Sequence, residues 1–76
     1  MVRGIGAPMI ECVENWFMYH APKGNQAERY TKIREAAKVL AYVIDESCPN
    51  SADKTAAMRK LREAVMTANA SIACNE

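Results

Sequence analysis

The chain has 76 residues, half of them hydrophobic, and its 10 Lys and Arg stand against 9 Asp and Glu for a net charge of +1. That composition excludes a disordered chain, and the missing basic excess argues against a general DNA or RNA binder. One small domain is expected, with a core so limited that a metal, disulfides, a ligand or further subunits should supplement it.

Gly4, Gly6 and Pro8 keep the start irregular, over residues 1–9. A first helix is predicted over about residues 10–19, too short to be stable unless docked, with Ile10, Val13, Trp16 and Phe17 as its docking side chains. Pro22 and Gly24 break the chain. A second helix is predicted over 26–47, with Asn25 as N-cap and Pro49 beyond its end. Tyr30, Ile33, Ala37, Leu40 and Ile44 form one apolar stripe at spacings of three and four, and Ala36, Val39 and Val43 widen it. A single neighbouring helix cannot cover so broad a face, so the first helix or a second subunit should cover the rest.

Ser51 is the expected N-cap of a third helix over 52–74, which carries Ala57, Leu61, Val65, Ala68 and Ile72 on one stripe. The short Pro49-Asn50-Ser51 connection makes the second and third helices antiparallel neighbours. The expected fold is all-α: a short N-terminal helix and a long helical hairpin. The small residues of "TANASIAC" would let helices of neighbouring subunits approach closely, which favours a homo-oligomer.

Cys12, Cys48 and Cys74 are odd in number and widely spaced, so neither a disulfide framework nor a zinc site is indicated, and no metal or cofactor is expected. No apolar run is long enough to span a membrane. "MVRGIGAPMIE" lacks a signal peptide's hydrophobic centre, so an intracellular, soluble protein is expected. The one histidine, His20, has no nucleophile or orienting acid placed locally beside it, and the carboxylates are scattered among Lys and Arg partners, as Glu28 is with Lys32. With no Gly-rich phosphate loop either, no catalytic residues are assigned.

"ENWFMYHAPKGNQAERYTKIR" crowds aromatic rings among cations. Tyr19 and His20 fall at the end of the first helix, while Arg29, Lys32 and Arg34 project from the first turns of the second. A helix start also attracts anions. Rings for stacking and cations for phosphate thus meet at one corner, although Trp16, Phe17 and Tyr30 read better as core. On the third helix, Arg62, Met66, Asn69 and Ala73 share a line beside the core stripe. Arg62 offers a planar fork for phosphate and Asn69 a donor and an acceptor; by themselves they read as an exposed helix edge.

"ENWFMYHAP", "QAERYTKIREAAKVLA", "CPNSADK" and "LREAVMTANASIACNE" together resemble the helical-hairpin domain of phage anti-CBASS and anti-Thoeris sponge proteins, over nearly all of residues 10–76. The resemblance implies a non-enzymatic protein of the host bacterial cytoplasm. It would bind cyclic dinucleotides and cyclic trinucleotides, hold them intact in separate pockets of a homohexamer, and so block CBASS effectors. It places a cyclic-dinucleotide pocket on Tyr19 with Lys32 or Arg34, beside His20, and a trinucleotide pocket on Arg62 with Thr67 and Asn69 nearby. The sequence lacks the β-rich region of the anti-Thoeris branch, which argues against cyclic ADP-ribose isomers. The alternatives are a structural or protein-interaction hairpin and a phosphodiesterase.

Overall fold

A computed structural model describes residues 9–76, with side chains from Cys12 onward. The expected irregular start before Met9 and the docking of Ile10 lie outside the described residues. Three helices and no strand occur among the described residues: α1 is Met9–Trp16, α2 is Gln26–Ser47 and α3 is Ala52–Asn75. The hairpin of α2 and α3 is the body of the fold, and α1 leans on α3.

The helix ends follow from identifiable bonds. Ser51 caps α3 as expected: its backbone is extended and its Oγ accepts from the Lys54 N–H at 3.1 Å. Cys48 leaves α2 in an extended conformation, as a residue before proline should. Asn25 precedes α2 but its side chain caps no backbone N–H; its Oδ1 instead accepts from Arg29 Nε at 3.0 Å. Gly24 supplies the positive φ (57°) that the turn into α2 requires.

Helix α1 stops at Trp16, three residues short of the expected end at Tyr19. Continuing it would require the Asn15 carbonyl to accept from the Tyr19 N–H. That carbonyl takes the His20 ring instead, Nε2 lying 2.7 Å from it, and the last turn tightens as Met18 N–H also donates to it at 3.4 Å. Tyr19 and His20 therefore sit on an extended strap between α1 and α2, beyond the helix.

The stripe of α2 that meets α3 is Tyr30, Ile33, Ala37, Ala41 and Ile44, all half-buried. Leu40 was expected there but is 47% exposed, and Ala41 takes its place. The α3 stripe of Ala57, Leu61, Val65, Ala68 and Ile72 is half-buried throughout, as expected. Trp16 (53% exposed) and Phe17 (84% exposed) are not core residues, contrary to the sequence expectation. Among the described side chains no hydrophobic residue is fully buried, and only Gln26 is, at 4% exposure. Two helices have no third layer to enclose them, so Val39, Leu40, Tyr42 and Val43 leave an apolar face of α2 open to solvent.

Candidate functional site

The strap carrying Tyr19 and His20 is fastened near both ends to the last turn of α3. At the α1 end, Asn15 Nδ2 donates to the Cys74 carbonyl at 2.9 Å. At the α2 end, Lys23 Nζ donates to the Glu76 main-chain oxygen at 2.8 Å, and the Lys23 N–H donates to Gln26 Oε1 at 3.1 Å. Gln26 Nε2 reaches Glu76 Oε1 at 3.1 Å, which explains why this polar side chain can be buried.

The Glu76 carboxylate is also gripped by Arg29, whose Nη1 donates to Oε2 at 2.9 Å while Nη2 holds Oε1. This fork lowers the Glu76 carboxyl from an ordinary 4.5 to about 2, with the Gln26 amide as second cause. The same bond raises the Arg29 guanidinium above its usual value. The cationic corner at the start of α2 thus already holds an anion from the chain itself, and Arg29 is engaged there.

The expected site residues fall into distinct places. Tyr19, His20 and Arg34 line one cavity of about 490 Å³ with Trp16, Tyr30 and Asn69, a size within the range of small-molecule sites. Tyr19 is 84% exposed, so one face of its ring is available for stacking. Arg34 donates only a long 3.3 Å bond to Thr31 Oγ1 and is absent from the two ion pairs of the described residues, Arg29–Glu76 and Lys54–Asp45. Lys32 lies elsewhere, on a cavity lined by Asn25, Glu28, Arg29 and Thr31. Lys32 and Arg34 are two positions apart, and at about 100° per residue they point to opposite sides of α2. The geometry groups Arg34, not Lys32, with Tyr19.

Arg62 lines a groove of about 320 Å³ between α2 and α3, whose floor includes Ala37, Leu61 and Val65 and whose rim carries Arg34 and Lys38. Within the chain, Arg62, Thr67 and Asn69 do not form one site. Thr67 is five residues from Arg62, about 140° around the helix, and its hydroxyl donates to the Glu63 carbonyl at 2.8 Å. Asn69 shares the Arg62 face but lies two turns along, in the Tyr19 cavity, where its Oδ1 is buried without a partner.

Sequence reasoning assigned no functional role to Trp16, Tyr30, Lys38 or Glu76. A signal existed for Lys38, four residues from Arg34 and so on the same face of α2. Tyr30 likewise precedes Arg34 by four. No local pattern announces Glu76, which reaches its site only when the hairpin closes. No group of three or more His, Cys, Asp or Glu placed to hold a metal occurs among the described residues, and the three thiols are free.

An aromatic and cationic cavity lies beside a hairpin of two long helices with much of its apolar surface uncovered, and the class is a small helical-hairpin domain. The Acb2/Tad1 hairpin domain matches residues 9–73, and the chain belongs to that family, the anti-CBASS and anti-Thoeris sponge family. Neither a curated protein nor a solved structure matches the chain significantly. No described helix is long and apolar enough to cross a membrane.

Proposed function

We propose that this protein sequesters cyclic oligonucleotide second messengers in the host bacterial cytoplasm, without degrading them, and so keeps CBASS effectors switched off. The observation that carries this reading is the sharing of one cavity by Tyr19 and Arg34 in a chain of this family. Tyr19, with Tyr30 and Trp16 nearby, offers ring faces to a base, and the Arg34 fork offers two parallel N–H donors to a phosphate. The near-neutral total suits a ligand with two phosphates better than a polymer. The groove rimmed by Arg34, Lys38 and Arg62 is the place for a cyclic trinucleotide, whose third phosphate asks for more cations.

The functional unit is a homo-oligomer, a hexamer by the family resemblance. Its support within the chain is the open apolar face at Val39, Leu40, Tyr42 and Val43 together with the lack of any fully buried hydrophobic side chain. Copies of the same chain packing on that face would supply the missing core. Ligand held in such an assembly is unavailable to effectors, and because nothing turns over, protein is required in amounts comparable with messenger.

Titration calorimetry of purified protein against cyclic dinucleotides and trinucleotides tests this reading. Saturable binding of at least one class supports it. The same apolar face would equally serve a protein-interaction hairpin, and that reading gives no heat with any cyclic nucleotide.

A further inference from the structure

His20 lines two cavities, the Tyr19–Arg34 cavity and a polar one bounded by Lys23, Gln26 and Glu76. Its Nε2 lies 2.7 Å from the Asn15 carbonyl oxygen. A carbonyl oxygen only accepts, so Nε2 must carry a hydrogen. Asn15 is itself held in place by its bond to the Cys74 carbonyl at 2.9 Å, so the ring has a fixed anchor. In the neutral ring the remaining nitrogen, Nδ1, then has a lone pair and no hydrogen. No partner for Nδ1 occurs among the described residues.

A phosphate oxygen is also only an acceptor. A neutral His20 pinned in this way presents a lone pair to it and is repelled. Adding one proton at Nδ1 converts that lone pair into a donor and gives the ring a positive charge, and both changes favour phosphate. We propose that His20 is a proton-linked phosphate contact: cyclic-dinucleotide binding takes up a proton at Nδ1, and affinity rises as pH falls. This deepens the function proposed above and rests on it.

The charged and titratable groups around the ring are known. Lys23 and Arg34 are the cations that line these cavities; Glu76 is the anion and is already shared with Arg29 and Gln26; the Tyr19, Tyr30 and Cys74 side chains are the remaining titratable neighbours. A dianionic ligand brings two negative charges beside the ring, and these favour the imidazolium in the complex. Proton uptake on binding follows from that added negative charge and from the donor a phosphate oxygen requires at Nδ1. The opposite contact, a neutral Nδ1 accepting from a base amino group, would release a proton or move none.

Calorimetry with 3′,3′-cyclic di-AMP in two buffers of different ionisation enthalpy counts the protons moved. Net uptake is expected near neutral pH, with affinity falling by up to about tenfold per pH unit on the alkaline side, and both effects should vanish in His20→Gln. Nitrogen-15 shifts of the single imidazole of the free protein should show the hydrogen on Nε2 in the neutral ring. Binding without proton uptake, uptake that persists in His20→Gln, or a neutral ring with its hydrogen on Nδ1 overturns the role of His20 alone. Failure to bind any cyclic dinucleotide at every pH overturns the functional reading and this inference together.

Discussion

Arg29 in the first turn of α2 grips both carboxylate oxygens of Glu76, at the far end of the sequence, and thereby ties the open ends of the helical hairpin together. The strap bearing Tyr19 and His20 leans on that same clasp through Lys23. The contacts that close the hairpin and those that hold the strap thus converge on one residue, Glu76.

The clasp predicts a pH dependence with a definite sign. Glu76 has a folded-state value of about 2 against an ordinary 4.5, so its contribution is present above the ordinary range and is lost as pH falls through the window between the two. Acid unfolding followed by circular dichroism should show this in the parent chain, and Glu76→Gln should remove that part of the curve. Superimposable acid profiles would mean that the clasp contributes nothing in solution, as exposed ion pairs sometimes do.

Arg34 and Lys32 should differ sharply. Tyr19→Ala is expected to weaken cyclic-dinucleotide binding by about 1–3 kcal/mol, one base stack, and Arg34→Ala by about 1.5–3 kcal/mol, a charge-assisted contact. Lys32→Ala, on the other side of α2, should change affinity by no more than a few tenths of a kcal/mol, the level of an ordinary surface substitution. Calorimetry on the three variants decides, and a larger effect at Lys32 than at Arg34 would move the pocket to the other face.

Arg62→Ala should impair cyclic-trinucleotide binding and leave dinucleotide affinity nearly unchanged, because Arg62 is not in the Tyr19 cavity. Arg34→Ala should weaken both, since Arg34 borders both spaces. Competition calorimetry reads the pattern directly. Loss of both ligands in an assembled Arg62→Ala protein would argue for one shared site.

The exposed face of α2 predicts the assembly. Leu40→Glu or Val43→Glu would place a charge where burial of the native side chain contributes about 1.5–3 kcal/mol. Light scattering should show a smaller particle, with reduced helicity because the monomer has little core of its own. A variant of unchanged mass and helicity would place the subunit contact elsewhere.

The helical elements were legible because their signals are local. Ser51 with its cap bond, Pro49 after α2, and the spacing of Ala57, Leu61 and Val65 all act within a turn or two of themselves. The end of α1 was misplaced because His20 competes for a carbonyl five residues back, a bond that propensity and periodicity do not encode. Leu40 fits the spacing of three and four between Ala37 and Ile44, but so does Ala41, and periodicity alone does not say which of the two faces α3. Of the candidate site, the resemblance paired Tyr19 with Lys32 or Arg34, and which of the two shares a cavity with Tyr19 depends on which face of α2 meets α3. The parts contributed by α3, Asn69 and Glu76, lie some 50 residues from the strap they meet, and only the closed hairpin brings them there.

The central claim is retention of an intact ligand. Incubating the protein with a cyclic dinucleotide, removing free ligand, heating the complex and separating what is released by chromatography tests it most directly. The account predicts recovery of unaltered cyclic dinucleotide in stoichiometric proportion to protein, unchanged by longer incubation. A linear dinucleotide or mononucleotide accumulating with time, or no ligand retained at all, would contradict it.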